Sequence, residues 1–138
     1  MKRRCKKIPV EQFRKENGIP KHIKVDLYVD EETSGDILKF LRDKGNSKKF
    51  NRILFEVLSN RYNDDLYRKE NVSDKAKDVT AMKFLNKSVE NARIYCKEFI
   101  LDDKKVVMIT HYQKRKQKID SKLRAQLEKI GGYEYDFN

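Results

Sequence analysis

Residues 92–112, Ala-Arg-Ile-Tyr-Cys-Lys-Glu-Phe-Ile-Leu-Asp-Asp-Lys-Lys-Val-Val-Met-Ile-Thr-His-Tyr, read as two strands, Ala92 to Leu101 and Lys104 to Tyr112, joined at Asp102-Asp103. The flanks are rich in β-branched and aromatic residues, and a two-residue acidic joint suits a tight hairpin. On the strand period of two, Arg93 shares a face with Tyr95, Lys97 and Phe99, while Ile94, Cys96 and Ile100 face the other way. Upstream, Val79 to Leu85 makes a third strand and completes a meander. A fourth comes from strict alternation near residue 25: Ile23, Val25, Leu27 and Val29 on one side, Lys24, Asp26, Tyr28 and Asp30 on the other.

Helices fill the intervals. Thr33 or Ser34 is placed to cap a short helix carrying Ile37, Leu38, Phe40 and Leu41, which Gly45 ends, and Ser47 to cap the next. In that second helix Phe50, Ile53, Leu54, Val57 and Leu58 recur at helical spacing, with Lys48, Lys49, Arg52 and Glu56 on the wet side. Ser121 opens a last helix that turns Leu123, Leu127 and Ile130 inward and is stopped by Gly131 and Gly132. Residues 60–78 are polar and read as a loop. Residues 1–22 hold eight Lys and Arg against Glu11 and Glu16, with Gly18 and Pro20 as breakers, and read as a basic N-terminal arm ahead of a 23–138 domain. The expected fold is α+β: a mostly antiparallel four-stranded sheet, two helices from the N-terminal side and a C-terminal helix, with the helices segregated to one side.

A chain of 138 residues supports one core, which excludes a two-domain enzyme. Lys and Arg number 33 against 22 Asp and Glu, a net charge of +11 that favours polyanions such as RNA, DNA or acidic proteins. Cys5 and Cys96 are the only thiols, so no disulfide framework or metal knuckle is expected, and a reducing cytoplasm suits the chain. No apolar run approaches the ~20 residues of a membrane span, and the basic start is not followed by a hydrophobic signal core. His22 and His111 have no neighbours at metal-ligand spacing, so neither a metal nor another cofactor is expected.

Two features carry chemistry. His111-Tyr112-Gln113-Lys114-Arg115-Lys116-Gln117-Lys118 begins at a strand end, and four cations so close repel one another unless solvent screens them or an anion sits among them. Arg93 beside Tyr95, with Lys83 on the preceding strand, offers a guanidinium fork for phosphate and a ring for an unpaired base, if that face is open. The plain reading of both is a solvated basic bend and an arginine snorkelling from an edge.

The chain resembles the RelE/ParE superfamily of bacterial type II toxins, in its HigB-like, phage-derived branch, from about Ile23 to Ile130. Ala-Arg-Ile-Tyr at 92–95 resembles the family's arginine-aromatic strand, Lys-Lys-Val-Val-Met-Ile at 104–109 its next hydrophobic strand, and Tyr-Gln-Lys-Arg-Lys-Gln-Lys at 112–118 its basic turn. The resemblance implies a ribosome-dependent endoribonuclease that cuts mRNA without a metal, inhibits translation, and is held by a cognate antitoxin with a helix-turn-helix domain. Carried onto this sequence, Arg93 and Arg115 match phosphate-stabilising arginines, Lys83 a lysine ahead of the arginine strand, and Lys114 and Lys118 the cations of the turn, with Lys116 among them. The family's last-helix tyrosine has no match near Ser121, which leaves Tyr95, Tyr112 or the tail pair Tyr133 and Tyr135 to stack a base. His111 matches no family motif and is an acid or base on general histidine behaviour. The alternatives are a ParE-like inhibitor that poisons DNA gyrase by binding and a basic nucleic-acid-binding domain without toxicity.

Overall fold

The computed structural model describes residues 1–85, 91–114 and 120–138, with the side chains of Leu85 and Asn91 excepted. In chain order the elements are β1 Arg3–Ile8, α1 Glu11–Glu16, β2 Val25–Asp30, α2 Ser34–Leu41, α3 Lys44–Leu58, β3 Tyr67–Lys69, a 3₁₀ turn Asp74–Ala76, β4 Val79–Leu85, β5 Asn91–Leu101, β6 Lys104–Gln113, α4 Ser121–Gly131 and β7 Tyr135–Asp136.

The strands form one mixed sheet in the order β3-β4-β5-β6-β2-β1-β7. This corrects the expected four-stranded, mostly antiparallel RelE-like sheet: among the described residues there are seven strands and four helices, and β2 runs parallel to β6, as β7 does to β1. The three unforeseen strands are short or wet. β1 reads Arg-Arg-Cys-Lys-Lys-Ile, with a charged outer face that hides its alternation. β3 and β7, of three and two residues, are too short to show a period. Residues 1–22 accordingly form a strand and a helix, with Val10 and Ile19 in the main core, where an arm was expected.

The meander matches its sequence reading. Asp102 and Asp103 have φ of 51° and 62°, so both central residues of the two-residue hairpin lie in the left-handed region, as a type I′ turn requires. α3 buries Ile53, Leu54, Val57 and Leu58, and α4 buries Leu123, Leu127 and Ile130. Capping differs. Asp43 Oδ1 accepts from the Asn46 N–H at 3.0 Å to start α3, and Asp120 Oδ1 accepts from the Leu123 N–H at 2.8 Å to start α4, displacing the serines expected at 47 and 121.

Helices cover both faces of the sheet. One cluster packs α2 and α3 on Leu27, Met82, Ile94, Cys96, Val107 and Ile109. The other packs α4 on Val79, Ala81 and Tyr95. By strand alternation these β5 positions point oppositely, so the segregation of all helices to one side does not hold. On the α4 side the sheet coils strongly. The Phe99 and Tyr135 rings, four strand spacings or ~19 Å apart in a flat sheet, have centroids 5.9 Å apart.

Two local features hold the ends. The fully buried Asp30 carboxylate accepts from Arg3 Nε at 2.7 Å and Tyr135 Oη at 2.6 Å on one oxygen, and from the Glu32 N–H at 2.8 Å on the other. Gly131 ends α4 against the 3₁₀ turn, where an added Cβ would lie 2.0 Å from the Lys75 carbonyl oxygen.

Asp30→Ala removes the acceptor shared by the first and last strands, and is expected to cost about 3 kcal/mol of unfolding free energy in urea denaturation. Gly131→Ala forces backbone apart and is expected to cost about 1–3 kcal/mol by the same measurement, whereas at a helical glycine without that close approach the same change would stabilise by about 0.4–1 kcal/mol.

Candidate anion site at the strand ends

Lys83 on β4 lies directly opposite Arg93 on β5, and Arg93 lies opposite Gln113 on β6. One step inward on the same face, Arg68, Ala81, Tyr95 and His111 follow each other across β3 to β6. His111 reaches this face because of a bulge. Tyr95 pairs with His111 but Cys96 pairs with Ile109, so Thr110 is an extra residue that shifts the alternation of β6. Thr110 is buried and locked: its Oγ1 donates to the Tyr95 carbonyl at 2.8 Å, and its carbonyl accepts from Thr33 Oγ1 at 2.6 Å.

Among the described residues, positive charge outweighs negative charge on this face. Two cations directly opposite one another on a sheet repel, and here one is buried. The Lys83 ammonium donates to the Asp64 carbonyl at 2.6 Å, yet burial lowers its proton affinity, and Arg68 and Arg93 lower it further against the opposing pull of Glu70 and Asp64. Among the described residues, Arg93 Nη1 is buried with no hydrogen-bond partner, and so is the Tyr95 hydroxyl. Burial, then the Glu70 carboxylate, holds the Tyr95 hydroxyl protonated well past its usual range, while Arg93 acts in the opposite direction. The His111 ring stacks at 6.4 Å from the Tyr95 ring, with Nε2 3.2 Å from Gln113 Oε1. The outcome is a row of donors, Lys83, Arg93 and Tyr95, with an imidazole alongside.

The residues expected from the sequence divide into three groups. Lys83, Arg93, Tyr95 and His111 share this face. Tyr112 lies on the other face, its ring 4.5 Å from Phe40, and Tyr95 is wholly buried. The buried Tyr95 ring offers no free face to a base, which corrects the stacking role expected of it, and Tyr112 points away from the Lys83–Arg93 face. Lys114 is exposed just past the end of β6, while Arg115, Lys116 and Lys118 lie outside the described residues. Of the tail pair, Tyr135 is spent on Asp30, and Tyr133 stacks under Arg3, whose Cζ is 4.0 Å from the ring centroid.

Sequence reading missed Arg68 and Glu70, which flank the face from β3 and the residue after it, inside the stretch read as a loop. Their only signal is Leu66-Tyr67, two apolar residues too few to set a period. Among the described residues, no three His, Cys, Asp or Glu side chains cluster as metal ligands do. Compared with known proteins, the chain matches no family model, no curated protein and no solved structure.

The lowered proton affinity of Lys83 has a signed consequence. Between its native value and ~10.5 the unfolded chain binds more protons at this group, so its contribution makes stability rise with pH over that window. Buried tyrosines act oppositely near pH 10. The difference in unfolding free energy between the wild type and Lys83→Met, followed from pH 7 to 10.5 by urea denaturation, is expected to move in favour of the wild type. A flat difference shows that Lys83 is not desolvated.

Proposed function

We propose that this chain cuts RNA as a metal-independent, ribosome-dependent mRNA endoribonuclease, the translation-inhibiting toxin of a toxin–antitoxin pair working in the cytoplasm. The observation that carries the reading is the Lys83–Arg93 pair: facing cations, with a buried guanidinium nitrogen that has no hydrogen-bond partner among the described residues, favour a bound anion between them. Internal transesterification of RNA needs what this face offers. The 2′-hydroxyl attacks the adjacent phosphorus, the bond to the 5′-oxygen breaks, and the products are a 2′,3′-cyclic phosphate and a free 5′-hydroxyl. His111 takes the 2′ proton as general base. Arg93 neutralises the crowded phosphorane, and Lys83, with its lowered proton affinity, supplies the proton to the departing 5′-oxygen. Lys114, with Arg115, Lys116 and Lys118, has the charge to hold the flanking phosphates.

Partner and setting follow from the same chemistry and from the sequence resemblance. A net charge of +11 favours fast capture by an acidic antitoxin, and the ribosome presents the message single-stranded, as the in-line attack requires. No helix of the described residues is long and apolar enough to cross a membrane, in keeping with a reading that involves none.

Induced expression followed by primer extension on translated mRNA is the test. The wild type is expected to give codon-associated cuts and growth arrest. Arg93→Ala is expected to lower cleavage at least about 100-fold, with unchanged circular dichroism. Intact message accompanied by gyrase-dependent DNA breaks would move the chain to the poisoning mechanism, and full toxicity of Arg93→Ala would remove this face from the chemistry.

A further inference from the structure

At the opposite end of β6 lies a second basic surface. β1 leaves the sheet at Ile8, α1 turns, and the chain returns through Gly18 to Lys24 to enter β2. Gly18 has φ of 66°, a left-handed value that reverses the chain without a side-chain clash. The return is anchored from both sides. Ile19 is buried in the core, and the Arg14 guanidinium donates to the carbonyls of Pro20 at 3.3 Å and of Ile23. A wall held in this way bounds a groove of about 760 Å³.

The groove is cationic. Six Lys and Arg line it against two carboxylates, and those carboxylates are engaged: Asp26 sits 3.7 Å from Lys7 and 3.4 Å from Lys104, and Glu11 3.7 Å from Arg14. Lys15, Lys21 and Lys24 are exposed and carry no ion pair among the described residues. Nothing aromatic lines the groove, and its apolar members are Ile19 and Pro20, with Ile19 buried. A protein partner wants an apolar centre ringed by polar groups, whereas backbone phosphates need only spaced, mobile ammonium groups. The nine residue steps from Lys104 to Gln113 put this groove ~30 Å from the Lys83–Arg93 pair.

We propose that this groove grips the phosphate backbone of a nucleic acid as a second contact, remote from the strand-end site and independent of whether that site cleaves. The chain then holds a large RNA at two places, one for chemistry and one for anchoring.

The test is fluorescence anisotropy of the full chain with a labelled RNA hairpin across a salt series. The triple variant Lys15→Ala, Lys21→Ala, Lys24→Ala is expected to weaken binding about 10-fold or more, and to flatten the logarithmic salt slope by about 2–3, for three lost phosphate contacts. A control of equal charge on α2 and α3, Lys39→Ala, Lys44→Ala, Lys48→Ala, is expected to stay within about 3-fold of the wild type. The groove triple is expected to weaken hairpin binding by the same factor in the wild-type and in an Arg93→Ala background, which separates this contact from the cleavage reading. Equal weakening by both triples, or none by the groove triple, overturns the proposal. Tighter binding of polyglutamate than of the hairpin, lost in the groove triple, also overturns it and assigns the groove to an acidic polypeptide.

Discussion

Strand β5 is covered on both faces, and that constraint decides where everything else in the molecule goes. Its even positions, Ile94 and Cys96, close the core beneath α2 and α3, while Tyr95 closes the smaller core beneath α4. Arg93 belongs to the second face by alternation, and it is half-buried there. Desolvation is what gives a cation there its grip on an anion, because interaction strengthens as the surrounding dielectric falls. The cost is visible in the same place. Among the described residues a buried hydroxyl and a buried guanidinium nitrogen stand without partners, each at a cost of about 1–3 kcal/mol.

The rest of the sheet supplies rigidity for that face. Lys97 spans the layer between β5 and α4: its amine lies 2.8 Å from the carbonyls of both Gly131 and Tyr133 and covers the helix's negative end. On the opposite side, Glu98 takes hydrogen bonds from Tyr62 and Tyr67, each at 2.6 Å, and pairs with Lys105 at 3.1 Å. Consecutive residues of β5 thus fasten it to elements on either side. Side chains at the strand ends are held by this frame more firmly than loop residues of the same type would be.

Much of this was legible in the sequence, and the losses have physical causes. The meander of β4, β5 and β6 could be read to within a residue, since long half-apolar strands show a period and Asp102-Asp103 names its own turn. Lys83 and Arg93 were placed on one surface by the same period. What alternation cannot reveal is a bulge: one extra residue, Thr110, moves His111 beside Tyr95 and sends Tyr112 to the far side. Nor can it reveal that a short polar segment gains a place in the sheet from a distant partner. Arg3–Ile8 looks like a solvated tail until Asp30, 27 residues beyond Arg3, receives its guanidinium. Gly131 shows the converse, a residue correctly placed at a helix end for the wrong reason, since close backbone approach there demands the missing Cβ.

Pairing of Arg3 with Tyr135 and Arg4 with Asp136 makes β1 wait for β7, which follows every other strand of the sheet in chain order. Until residues 135 and 136 dock, the outer rim of β1 stays open, and Asp30 is a carboxylate in an apolar setting lacking one of its donors. Closure joins β1 to β7 across every element between them, a long loop whose ordering is slow even though its entropic cost grows only logarithmically with length. Assembly of the sheet therefore ends as a zip fastener does, with β7 as the slider, and without β7 the outer seam of β1 stays open.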